Sequence, residues 1–186
     1  MNADTKPTLI VVGGPPGTGK TALAHEIARA VGCPAVRRDE IKEGMVHATP
    51  GFSPGLGNAL NLRTLPAFFD VLDLLVGAGV TTVAEAAFQD RLWRPGPEAL
   101  WGRAEIRVVH CSVDAEVALA RRLRRAGEDP VRRAHEPASP IDPAAHTLGH
   151  DTFDRVSVDA PWIEVDTTDG YDPGLRTIVD FADARR

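Results

Sequence analysis

The chain has 186 residues, 43% hydrophobic and 25% charged, a size and composition that point to one globular domain and exclude a disordered or fibrous protein. A formal net charge of −5 argues against a surface built throughout to hold duplex nucleic acid, although a local basic site is compatible with it. The longest weakly polar run, Leu74 to Ala84, has 11 residues and two glycines, too short to cross a bilayer, and no apolar signal segment precedes Thr8, so the expectation is a cytoplasmic protein.

In chain order, the β-branched run Thr8 to Gly13 predicts a buried strand that stops at a glycine cluster. The spacing of Leu23, Ile27 and Val31 predicts a helix from Lys20, closed by Gly32 and Pro34. Residues Pro34 to Val36 predict a second strand, with Asp39 as the N-cap of a short helix through Val46. A Pro- and Gly-rich loop over residues 47–58 precedes a long helix from about Leu60 to Val76. Val80 to Ala84 and Ile106 to His110 read as strands three and four, with an irregular helix holding Leu92, Trp93 and Leu100 between them. A helix from Asp114 through Arg125, a fifth strand from Pro161 to Val165, and a last helix from Pro173 to Ala184 complete the series. The segment Gly127 to Gly149, with four prolines, shows no sustained period. Strands alternating with helices predict an α/β fold whose mostly parallel sheet is covered on both faces, and no linker divides residues 1–186.

The run Gly14-Pro-Pro-Gly17-Thr18-Gly19-Lys20-Thr21 matches G-x-x-x-x-G-K-[ST] between a strand and a helix, where a phosphate-binding loop belongs; about 0.002 such matches are expected by chance. Glycines let backbone N–H groups converge on phosphate oxygens, and the following helix points its positive end at the same charge. Pro15 and Pro16 lack an amide hydrogen, so the donors fall to Gly17 through Thr21. Lys20 is placed to reach the β- and γ-phosphates and Thr21 to ligate Mg²⁺. A GTPase switch has no support, because no Asp is followed by Gly three places on and no N-K-x-D is possible with lysines at 6, 20 and 42 alone. An oligomeric ATPase motor has little room for its usual extra helical domain.

These residues, with Asp39 in Arg37-Arg-Asp-Glu-Ile-Lys42, the arginine cluster and the turn Asp166-Thr-Thr-Asp169, resemble the small P-loop kinases that include chloramphenicol phosphotransferase, zeta toxins and the 5′-kinase domain of polynucleotide kinase, small ATP-binding kinases grouped under the AAA name. The resemblance implies a P-loop three-layer α/β/α sandwich with five strands and an arginine-rich lid over about 121–149. It further implies an ATP- and Mg²⁺-dependent kinase that moves the γ-phosphoryl group to a hydroxyl of a small molecule such as an antibiotic, nucleoside or sugar. In that family the acid after strand two takes the acceptor's proton, which makes Asp39 the candidate base. The chemistry is sound, since an alcohol must lose a proton as transfer proceeds; otherwise Asp39 only caps its helix, and Glu40 or Asp90 serves. Arg37 stands where the family often has a small residue.

Glu85 ends an apolar strand in the manner of a Walker B acid, a candidate beside the magnesium site, and Gln89 and Arg91 are spaced to line the same cleft. From Arg121 to Arg133, six arginines face two acids, a net +4 in an acidic protein, which suits a lid that neutralises phosphoryl charge. Arg122, Arg125 and Arg133 are the favoured members. His135, His146 and His150 offer a weak metal alternative, and Phe68, Phe69, Trp93 and Trp101 read as core or pocket wall. Cys33 and Cys111 are expected as reduced, buried thiols. A 5′-hydroxyl polynucleotide kinase and a nucleotide-binding regulatory ATPase are the alternatives, opposed respectively by the lack of a long basic groove and by a candidate base that a switch does not need.

Overall fold

The computed structural model describes residues 6–52, 57–94, 100, 102–128 and 141–183. In chain order its elements are β1 (Thr8–Gly13), α1 (Lys20–Val31), β2 (Ala35–Arg37), α2 (Arg38–His47), α3 (Gly57–Gly77), β3 (Thr82–Glu85), α4 (Asp90–Trp93), β4 (Glu105–Ser112), α5 (Ala115–Glu128), α6 (Pro143–Asp151), β5 (Trp162–Asp166) and α7 (Leu175–Ala182). The five strands form one all-parallel sheet in the order β2-β3-β1-β4-β5.

Every residue of β1 is buried, and the period of two sends its side chains into two separate apolar layers. Leu9 and Val11 pack with Phe68, Leu72, Ala84, Trp93 and Val108 beneath α3 and α4. Ile10 and Val12 pack with Leu23, Ile27, Val83, Val109 and Ile178 beneath α1 and α7. The result is a three-layer α/β/α sandwich. In the strand register Val12 lies opposite Glu85, and Glu85 opposite Arg37, so the carboxyl ends of β1, β3 and β2 finish side by side. The chain leaves β1 toward β2 on one side and resumes at β4 on the other, so a crevice opens at this end of the sheet.

Several boundaries differ from the sequence reading. Val80 and Thr81 lie before β3, because α3 closes with a Schellman turn in which Gly79 N–H bonds Val76 O and Val80 N–H bonds Leu75 O, both at 2.9 Å. Helix α2 starts at Arg38 with Arg37 as N-cap and no side-chain capping bond, so Asp39 is in the first turn and is not the cap. The stretch 127–149, expected without regular structure, holds the start of α6, whose N-cap Asp142 accepts from Ala144 N–H and whose first residue is Pro143. Between β3 and β4 the described helix covers only Asp90–Trp93; residues 95–99 and Trp101 lie outside the described residues, as do 129–140 of the expected lid. Phe68, Phe69, Phe88 and Trp93 form a cluster of ring contacts, and Trp93 is fully buried. Cys111 is buried and Cys33 half-buried, and neither is in a disulfide; burial pushes the Cys111 pKa up to about 12.

Candidate active site

The glycine-rich loop bends out of β1 between β4 and α5. Gly14 has φ +140°, and a Cβ there would sit 2.3 Å from the Cys111 carbonyl oxygen; at Gly17, with φ +95°, it would sit 2.5 Å from the Ala118 carbonyl oxygen. Only glycine satisfies both the dihedral and the contact at these positions. Gly19 is the N-cap of α1 and brings no side chain to its first amides, which therefore face the loop. Lys20 is buried and folds back, its Nζ donating to Pro15 O at 3.0 Å, and the Thr18 hydroxyl donates to the same oxygen at 2.9 Å. The turn after β5 is tied to the loop: the Thr167 hydroxyl lies 2.9 Å from Thr18 O and 3.2 Å from Ser112 O. Asp166 accepts the Thr168 N–H at 2.6 Å, and its hydrogen bonds with Thr168 hold its pKa below the usual carboxylate range.

Glu85 is buried at the end of β3, where its Oε2 accepts the Thr21 hydroxyl at 3.3 Å and lies 3.5 Å from Arg37 Nε. Arg37, also buried, pairs with Glu40 and lies 3.3 Å from His25 Nε2. It therefore backs the carboxylate from beneath, and does not occupy the opening where a small residue was expected. Asp39, on the first turn of α2, accepts from Arg38 at 3.0 Å, and Arg38 also donates to Asn61 Oδ1 of α3 at 2.7 Å. Lys42 stands one turn on, and burial, with the neighbouring Arg38 charge, lowers its pKa against the pull of Asp39.

These groups surround a cleft of ≈ 550 Å³ lined by Lys20, Thr21, Arg38, Asp39, Lys42, Glu85, Arg122 and Arg125, with Leu65, Phe88 and Leu92 as apolar wall. Neither Glu40 nor Asp90, the alternative bases, lines it; Asp90 pairs with Arg94 and accepts Ser157 N–H at 2.8 Å. Gln89 and Arg91 line an adjoining hollow of ≈ 330 Å³ that shares Arg122 and Leu92 with the cleft. Arg121 turns away, donating to Thr167 O at 2.7 Å and Thr168 O at 3.1 Å. Arg133 lies outside the described residues.

Arg122 is held from α6. Its NH1 lies 2.9 Å from His146 Nδ1, and His146 Nε2 lies 3.1 Å from Ala115 O. A guanidinium can only donate, so Nδ1 must accept and Nε2 must carry the proton to Ala115. Burial, with Arg122 and His150 acting the same way, lowers the His146 pKa, while the Ala115 bond opposes the shift. Among the described residues no three His, Cys, Asp or Glu side chains gather as a metal site, so the His146–His150 pair stands without further ligands of that kind. Arg38, Lys42 and Asn61 were not singled out as site residues from sequence, and His146 was considered only as a weak metal ligand. The first two carried a signal, since they flank Asp39 in one helical turn.

Fold and loop together define a P-loop nucleotide-binding fold of the kinase type. Residues 9–139 match the model of the AAA domain family, and the chain belongs to that family. An uncharacterized protein of Mycobacterium tuberculosis is 28% identical over 164 residues, 82% of this chain and 32% of that protein, so the chain spans about a third of the length of the curated relatives it matches. A candidate kinase from Chloroflexus aurantiacus has the same fold with a TM-score of 0.81 at 22% identity, over 95% of this chain and 96% of that one. Shikimate kinase from Acinetobacter baumannii, solved with shikimate, superposes with a TM-score of 0.62 at 18% identity, over 95% and 90%. At such identities the likeness is one of fold.

Proposed function

We propose that the protein is an ATP-dependent phosphotransferase that moves the γ-phosphoryl group to a hydroxyl of a small molecule. The observation that carries this reading is the meeting of Asp39 with Lys20, Thr21, Glu85, Arg122 and Arg125 around one cleft. A hydrolytic switch needs no carboxylate facing an acceptor pocket; a kinase does. Gly14, Gly17, Thr18, Gly19, Lys20 and Thr21 cradle the donor phosphates, and Lys20 supplies the fixed charge there. The acceptor oxygen bonds to the γ-phosphorus as the bond to the bridging β,γ-oxygen breaks, and ADP leaves. Asp39 takes the acceptor's proton. Arg122 and Arg125 neutralise charge on the transferring group.

The Thr21 hydroxyl and Glu85 carboxylate, already 3.3 Å apart, are hard oxygen donors of the kind Mg²⁺ selects. They would hold the ion, Thr21 directly and Glu85 directly or through water, and it would supply charge neutralisation at the phosphates. The test is ATP consumption in a screen of sugars, nucleosides, aminoglycosides and other hydroxylated antibiotics. Stimulation by one acceptor class supports a kinase, and slow ATP turnover indifferent to every acceptor supports a regulatory ATPase.

A further inference from the structure

The cleft holds more positive charge than phosphoryl transfer uses. Lys20, Arg122 and Arg125 enter it from the phosphate-binding loop and α5, whereas Arg38 and Lys42 enter from α2 on the side of Asp39. Arg38 is engaged by Asp39 and Asn61. Lys42 is 4% exposed, yet among the described residues no hydrogen bond or ion pair engages its ammonium. The nearby carboxylate, Asp39, is turned to Arg38.

The Lys42 ammonium opens on the cleft, where burial of the side chain and the Arg38 charge hold its pKa down against the pull of Asp39. Its stem is packed and its head faces a cleft whose far end is assigned to ATP phosphates. Leu62, Leu65 and Phe88 beside it supply apolar contact but no negative charge. With Arg38 already bonded to Asp39 and Asn61, the two cations on this wall outnumber its one carboxylate, and a ligand anion would complement them.

We propose that Lys42, with Arg38, binds an anionic group of the acceptor, so that the substrate is a hydroxylated carboxylate or phosphate ester that offers its hydroxyl to Asp39. This rests on the kinase reading and narrows it, since neutral sugars and cationic aminoglycosides become poor acceptors. Asn61 adds a neutral polar group at the same wall and leaves Arg38 fixed in direction. The apolar neighbours favour a compact ring or chain over a fully solvated polyol.

The test begins with the loop filled by Mg²⁺ and the non-hydrolysable analogue AMP-PNP, so that added anions cannot bind there. Calorimetric titration with inorganic phosphate and, separately, with a small hydroxycarboxylate such as 3-hydroxybutyrate then reads the second site. Wild type should bind at least one probe, and the preferred probe distinguishes phosphate from carboxylate recognition. Lys42→Met should weaken that binding at least tenfold with AMP-PNP affinity unchanged, and Lys42→Arg should retain it. Lys42→Met removes a charge that burial and Arg38 disfavour, so its melting temperature should stay close to wild type or rise; Lys42→Gln serves as the second neutral variant. Nucleotide-loaded wild type that binds neither probe, or neutral variants that bind as wild type does, would overturn the inference and leave the kinase reading standing. Failure of AMP-PNP itself to bind would overturn both.

Discussion

Gly17→Ala probes the junction on which the site depends. The new methyl group would lie 2.5 Å from the Ala118 carbonyl oxygen and 2.9 Å from Ala118 Cα, on backbone of α5 that cannot rotate aside as a side chain would. The φ of +95° adds a penalty of about 1–2 kcal/mol for any residue with a Cβ. Relieving the overlap requires the loop and α5 to part, at about 1–3 kcal/mol by analogy with overpacked cores. Together these give about 2–5 kcal/mol, and for a domain of this size each kcal/mol lowers the midpoint by about 2–4 °C. Thermal unfolding should therefore show a drop between about 5 and 20 °C. Because Ala118 shares a helix face with Arg122 and Arg125, the displacement should also reduce nucleotide binding. A variant that melts within about 2 °C of wild type and binds ATP normally would refute the close approach of loop and helix.

Asp39→Asn should leave ATP affinity nearly intact, change stability by less than about 1 kcal/mol through lost interaction with the start of α2, and lower transfer about 10²-fold or more; wild-type transfer would reject Asp39 as base. His146 has a folded pKa below its ordinary 6.5, so the stability its neutral form contributes should be complete above that value and lost as pH falls toward the lower folded pKa. Protonation also deprives Arg122 of its acceptor. In His146→Asn, whose carbonyl oxygen can accept from Arg122 without titrating, both the melting temperature and the transfer rate should lose part of their acid-side decline; pH profiles identical to wild type would contradict the assignment.

The phosphate-binding loop and β1 were legible because their signals are local: a fully buried strand, then glycines at fixed offsets before Lys20. Glu85 was legible for the same reason, as the acid that ends an apolar strand. The role of Asp39 as N-cap misread a single residue, because β2 runs straight into α2 and the boundary depends on pairing with β3. Among the arginines, Arg122 and Arg125, favoured from the sequence, both line the cleft, while Arg121 bonds the turn after β5. What decides is the rotation of α5, set where Ala118 meets Gly17, a tertiary contact with no trace in helical spacing. Helix α6 escaped notice since its nine residues hold one large apolar side chain, Leu148, followed by Gly149, although Asp142-Pro143 is a readable start signal. Its place in the site follows from His146 reaching Ala115 and Arg122, neighbours only in the folded chain.

A kinase hands the γ-phosphoryl group to an acceptor, and a regulatory ATPase hands it to water. The most direct measurement follows the γ-phosphoryl group of labelled ATP by mass spectrometry in the presence of the best acceptor from the screen, for wild type and Lys20→Ala. Wild type should form a phosphorylated acceptor in step with ADP, and the variant, which has lost the fixed charge at the donor phosphates, should form none. Label recovered only as inorganic phosphate, at a rate no acceptor changes, would contradict the kinase reading.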